Sequence, residues 1–178
     1  MKEGELYLSK YKILKVFKET LEGCVLLAEH IQLNSYWIIK KLNGVNVESM
    51  REVEVLKGVK HPGIPMIIDV ILEDDSLVII REYVEGENLN DYAKSGLSQD
   101  EILDIGLKLC EILKFLHEDL THPLIFRDLK PGNIIMTCDG GLKIIDFGIA
   151  KAVGGQDLTD KTLFTGLQQF LGTPSYMS

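Results

Sequence analysis

Apolar residues gather in short runs between turn formers over the first part of the chain, and recur at helical spacing in two segments after residue 44. Across residues 11–42, "YKILKVF", "CVLLAEH" and "SYWIIKKL" gather β-branched and aromatic residues between turn formers near residues 19–23 and 34–35. Side chains of that kind suit a half-buried pleated surface, so the pattern predicts three strands. "VNVESMREVEVLKGVK" then puts Val45, Ser49, Glu52 and Leu56 on one stripe at helical spacing, ahead of "HPGIP". That predicts a short helix with a polar residue on its inner face. "PMIIDVILED" and "SLVIIREYV", joined by the turn-prone "DDS", predict two more strands.

The strongest helical signal covers residues 98–118. Ser98 and Glu101 have the spacing of a capping box, and Ile102, Ile105, Leu109, Ile112, Leu113 and Leu116 form an apolar stripe that must pack on a core. Before it, "EGENLNDYAKSG" is polar and suits a short helix. After it, "IIMTCDGGLKIIDFG" reads as a tight hairpin, because "DGG" tolerates positive φ. Residues 149–178 have little periodicity and read as a long loop. The order predicts an α+β chain: five antiparallel strands with one helix, then a mainly helical segment carrying a small hairpin. Two lobes are expected, residues 1–82 and 83–178, with "EYVEGEN" as the crossing.

Charge narrows the partners. A net charge of −8 argues against nonspecific binding to nucleic acid or to anionic membranes, both of which are themselves negative. Phosphate binding, if present, is local. No apolar run approaches the ~18 residues of a membrane helix, and "MKEGELYLSK" has no signal core, so a cytoplasmic chain is expected. Cys24, Cys110 and Cys138 are far apart and lack CxxC spacing, which predicts neither disulfide nor zinc. The four histidines have no metal-ligand spacing.

"FRDLKPGNIIM" followed by "IIDFG" carries the chemistry. A hairpin between Asn133 and Asp146 folds both back toward Asp128, so three oxygen-bearing side chains gather on one loop cluster. Hard oxygen ligands of this kind suit Mg²⁺, which is commonly shared with substrate phosphates.

With "RDLKPGN", "DFG" and "GTPSYM" in order and "IIK" upstream, the chain resembles the eukaryotic-type protein serine/threonine kinases, with a bacterial flavour. The resemblance implies a bilobal kinase fold that stops inside the activation segment, with an incomplete C-lobe. It implies that Asp128 takes the proton of a substrate hydroxyl and that Lys130 steadies the γ-phosphate. Asn133 and Asp146 hold Mg²⁺, and Lys40, paired with Glu52, reaches the α- and β-phosphates. ATP is further expected to meet Gly23, Val25, Ile38, Ile135, the Glu82 carbonyl and the Val84 amide. Arg127 implies a loop organised by phosphate, with Thr159, Thr162 and Thr165 as acceptor hydroxyls. The partners implied are ATP and a protein substrate.

The chain departs from the family pattern where the phosphates should lie. Aligning Val25 with the valine of GxGxxGxV leaves Gly23 as the third glycine, with Thr20 and Lys18 in place of the others. Thr20 hinders close approach of backbone to phosphate, and Lys18 adds positive charge. Ile38 stands where alanine is usual, and Arg81 where an apolar or small polar side chain is usual. These departures leave a pseudokinase-type binding or scaffold module, or an inactive and self-associating fragment, as the alternative expectation.

Overall fold

The computed structural model describes residues 1–44, 53, 56–74, 76–121, 123–126, 128–146 and the backbone of 151–152. The chain divides into two compact units: Met1–Lys60 with Pro65–Tyr83, and His61–Ile64 with Val84–Ser178.

The first unit is an antiparallel sheet of β1 (Leu6–Tyr7), β2 (Tyr11–Thr20), β3 (Gly23–His30), β4 (Ser35–Asn43), β5 (Ile67–Glu73) and β6 (Ser76–Glu82). The strand order is β1-β2-β3-β4-β6-β5. The five predicted strands are all present, and β1 is a sixth that the pattern did not predict. Its two residues are too few to show a period, and its turn uses Leu8 and Ser9 at φ 50° and 56°, not the glycine or asparagine that signals such a turn.

Cross-strand partners point to the same face, so the register assigns every side chain to a side. One face carries Tyr11, Ile13, Leu26, Ala28, Ile39, Val78 and Ile80, all buried, with Met1, Tyr7, Val16, Cys24, Trp37 and Ile71 against them. The other carries Leu77 and Ile79, packed with Val53, Leu42, Ile67 and Val70. Val53, Leu56 and Lys57 are helical, and Val53 and Leu56 are buried. Of the predicted stripe, Leu56 is thus an inward position; Val45, Ser49 and Glu52 lie outside the described residues.

β1 and β5, at opposite ends of the strand order, are tied together. The Tyr7 hydroxyl donates to Glu73 Oε1, and Lys41 Nζ donates to Glu73 Oε2 at 3.5 Å. Burial, then the Glu73 carboxylate, pushes the Tyr7 phenol well above its ordinary pKa.

In the second unit, β7 (Gly86–Asn88) leads into α1 (Leu89–Tyr92), and α2 (Gln99–Lys114) follows, ending in a π-helical turn, Phe115–Asp119. The capping box is formed: Glu101 N–H donates to Ser98 Oγ at 3.3 Å, and Ser98 N–H donates to Glu101 Oε2 at 2.8 Å. Of the predicted stripe, Ile105, Ile112 and Leu116 are buried and Leu109 and Leu113 half-buried. Ile102 is the exception at 55% exposed, beside exposed Leu103 and Leu107.

The predicted hairpin is β9 (Ile134–Thr137) and β10 (Leu142–Ile144), with Gly140 at φ 79° in the turn. It is part of a larger structure than predicted, because β7 joins β9 to make three strands. A second small pair, β8 (Leu124–Ile125) with β11 (Lys151–Ala152), lies on the chain either side of it.

"HPGIP" explains itself here. Residues 61–64 belong to the second unit: Ile144 N–H donates to Gly63 O at 2.9 Å, and the His61 ring lies 4.6 Å from that of Phe115. Gly63 N–H donates to His61 Nδ1 at 3.0 Å, and burial lowers the His61 pKa against the pull of Glu111 and Asp119. A Cβ on Gly63 would lie 2.3 Å from Ile112 Cδ1, so glycine lets the loop seat against α2.

All three cysteines are free thiols. Among the described residues, no helix is long and apolar enough to cross a membrane.

Candidate active site

Residues 128–133 form a loop that holds itself. Pro131–Asn133 make one 3₁₀ turn, closed by Asn133 N–H donating to Lys130 O at 2.9 Å. Proline suits the start of such a turn because its missing N–H has no acceptor to lose there. The turn aims the buried Asn133 side chain back along the loop. Its Nδ2 donates to the Asp128 backbone carbonyl at 2.9 Å and to Asp128 Oδ2 at 3.0 Å. Lys130 Nζ donates to the same Oδ2 at 2.7 Å. The two contacts to the carboxylate are charge-assisted and partly buried, where they are stronger than on an open surface.

The two donor bonds fix which way the Asn133 amide points, leaving its Oδ1 as the atom suited to a cation. Ile145 N–H donates to Asn133 O at 2.9 Å, so the strand end before Asp146 is stitched to the same residue. The hairpin register, Ile134 opposite Ile144, brings the two strand ends together. Asp146 itself is exposed. Among the described residues, no three His, Cys, Asp or Glu side chains form a metal cage. One amide oxygen and one carboxylate suit an ion that keeps waters and shares phosphate oxygens, which is the habit of Mg²⁺.

The sheet of the first unit carries a second set of the expected site residues. Register pairs Lys18 with Val25, Val25 with Lys40, and Lys40 with Ile79, in one cross-strand row. The adjacent row runs Lys15, Leu27, Ile38, Arg81 and Ile67. Val25, Ile38, Lys40 and Arg81 therefore share the face that also carries Leu77 and Ile79. Ile38 is buried in that row. Glu82 N–H donates to Met66 O at 2.9 Å, which anchors the end of β6.

Gly23 has a local reason to be glycine. Its φ is 146°, and a Cβ there would sit 1.9 Å from Lys41 O on the neighbouring strand. No side chain fits between two backbones at that distance. The conformation required at Gly23 is thus accounted for by the sheet itself.

Val84 and Ile135 belong to the second unit with Asp128, Lys130, Asn133 and Asp146. Ile135 is half-buried and pairs with Asn88 and Lys143. Glu52, Arg127, Thr159, Thr162 and Thr165 lie outside the described residues.

Comparison with known proteins decides the family. The protein kinase domain family matches residues 20–178. The chain belongs to the protein kinase family. It is 32% identical over 178 residues to serine/threonine-protein kinase 36 of Pongo abelii, covering 96% of this chain and 13% of that protein. It is 32% identical over 184 residues to serine/threonine-protein kinase cds1 of Schizosaccharomyces pombe, covering 96% and 38% respectively. A probable serine/threonine-protein kinase of Clostridium perfringens is 29% identical over 184 residues, covering 98% and 26%. The chain thus spans well under half the length of each of these relatives, which come from eukaryotes and a bacterium alike.

The sequence pattern does not show that Lys15 shares a face with Lys40. Strict alternation from Tyr11 and Ile13 would put Lys15 on the buried face with them. Irregularities between Ile13 and Lys15, and again between Val16 and Lys18, reverse this. Each inserts one residue and flips the side chains beyond it to the opposite face. The first turns Val16 into the core and brings Lys15 opposite Leu27; the second cancels it, so that Lys18 lies opposite Val25, on the face where strict alternation would also put it. No local sequence signal marks either irregularity.

Proposed function

We propose that this chain is the ATP-binding and catalytic-loop portion of a protein serine/threonine kinase, transferring the γ-phosphate of ATP to a protein hydroxyl. The observation that carries the reading is the self-bonded Asp128, Lys130 and Asn133 loop, stitched through Ile145 to the residue before Asp146. In this reading Asp128 accepts the proton of the attacking hydroxyl. Lys130 holds the Asp128 carboxylate in place and lends its charge to the transferring phosphate. Asn133 Oδ1 and Asp146 hold Mg²⁺, which when bound neutralises charge on the phosphates. Lys40 steadies the phosphates from the sheet, while Val25, Ile38 and Ile135 enclose the adenine. The Glu82 carbonyl and the Val84 amide supply its edge hydrogen bonds. Such chemistry depends on positioning and charge stabilisation more than on covalent steps, and a rigid polar loop suits it.

Glu52 is assigned to pair with Lys40, and Thr159, Thr162 and Thr165 are assigned as acceptors of regulatory phosphate. A cytoplasmic location and a protein substrate complete the reading. The direct test incubates the chain with Mg²⁺, γ-labelled ATP and a generic basic protein. Label on serine or threonine of that protein is the expected result. No transfer, together with no Mg²⁺-dependent thermal stabilisation by ATP, would overturn the reading in favour of a scaffold module that does not bind nucleotide.

A further inference from the structure

We infer that Lys18 is a polyphosphate-binding residue, its side-chain cation replacing the backbone amides of a glycine-rich loop. The inference rests on the nucleotide reading above and adds to it a residue outside the family's own pattern.

Four observations converge. First, β2 and β3 pair without interruption from Lys18 opposite Val25 to Thr20 opposite Gly23, leaving only Leu21 and Glu22 to turn the chain. Neither of these has positive φ, and backbone committed to a ladder that close to the tip does not form a concave nest of amides. Second, the positive φ of Gly23 answers to Lys41 O, so this glycine is not spare for a ligand.

Third, register puts Lys18 and Lys40 on the same face with Val25 between them. Two strand spacings separate their backbones by about 10 Å, close enough for two extended lysines to grip one polyphosphate. Fourth, Lys18 has no carboxylate in its own cross-strand row, which holds Val25, Lys40 and Ile79; the first acid of β2 to β4 on that face, Glu29, lies two rows out, opposite Lys12. Glu19, beside Lys18 in sequence, pairs with Cys24 and so faces the other way. Lys15 Nζ lies 5.4 Å from the centre of the Phe17 ring, which holds that cation to the hairpin, whereas Lys18 is exposed and makes no ion pair among the described residues.

The experiment is calorimetric titration of the full chain, with Mg²⁺, by adenosine, ATP and inorganic tripolyphosphate. It compares the wild type with Lys18→Gln, Lys18→Arg and, as a charge control on the N-terminal arm, Lys2→Gln. Lys18→Gln is expected to weaken ATP and tripolyphosphate about fivefold, the scale of one exposed charge contact, and to flatten their salt dependence. Adenosine affinity should not change, Lys18→Arg should restore binding, and Lys2→Gln should behave as wild type. Equal ATP affinity in wild type and Lys18→Gln would overturn the inference and leave the nucleotide reading standing. Tripolyphosphate binding that depends on Lys18, without ATP binding, would do the reverse. If the wild type binds neither ligand, both fall.

Discussion

Around Asp128, three polar side chains hold one another and the backbone; along residues 17–22, every side chain is exposed and the backbone ladder sets the shape. A loop closed by side-chain hydrogen bonds loses a partner when any of its residues changes type. A hairpin closed by backbone pairing accepts whatever side chain a strand tolerates. That difference fits a chain that has Asp128, Lys130 and Asn133 of the family pattern yet carries lysine and threonine where that pattern has glycine. Gly23 is the exception within the hairpin because its constraint is steric and comes from β4.

The contrast between loop and hairpin breaks most sharply at Asp128. Asp128→Asn keeps the backbone carbonyl that Asn133 binds but removes the charge and the proton acceptor. Phosphoryl transfer should fall by about 10²- to 10⁴-fold, as expected for loss of a general base, with little change in melting temperature. Near-wild-type transfer rates would show that the loop is only structural.

Gly23→Ala tests the opposite side. Strain at φ 146° and collision with Lys41 O predict a loss of about 3 kcal/mol in denaturant unfolding, with no ligand present. If stability is unchanged and only ATP affinity drops, this glycine serves the ligand and not the sheet. For Asn133→Ala the expected loss is smaller, about 2 kcal/mol, because a buried amide goes and with it two hydrogen bonds to Asp128. Mg²⁺-dependent stabilisation by ATP should disappear in the same variant. A variant as stable as wild type would mean that the loop does not depend on its own hydrogen bonds.

The smallest effect is expected at Tyr7. Tyr7→Phe removes the bond between β1 and β5 and should cost about 1 kcal/mol at neutral pH. The folded-state pKa of Tyr7 is raised, so its contribution is complete below the unfolded value near 10 and is lost as pH rises beyond it. Alkaline unfolding curves of wild type and Tyr7→Phe should therefore converge above pH ~10. Curves that stay parallel would show that the hydroxyl does not titrate with folding.

The long elements were legible because their signals are local. Clusters of β-branched and aromatic residues between turn formers marked β2 to β6, the Ser98 and Glu101 spacing marked the start of α2, and "DGG" marked the β9–β10 turn. The turn and hairpin within residues 128–146 were legible for the same reason, since both close over a short span of chain. β1 and β7 were not legible: each is two or three residues long and gains its meaning from a partner strand, which for β7 is distant in the chain. The exposure of Ile102 was not legible either, because periodicity finds an apolar stripe but not what lies against it.

By itself, then, the sequence determined which long segments become strands and helices and that a short turn and a hairpin return Asn133 to Asp128 and Ile145 to Asn133. These outcomes come from side-chain period, capping and short loops. Only the tertiary structure decided that Gly23 is required by the backbone of β4 and that residues 61–64 pack with the second unit. It alone decided that one strand irregularity puts Lys15 on the face of Lys40 and that a second returns Lys18 to it. The physical reason is that register and close approach are properties of pairs of strands, and a one-residue shift that leaves composition untouched moves every later side chain of the strand to the other side of the sheet.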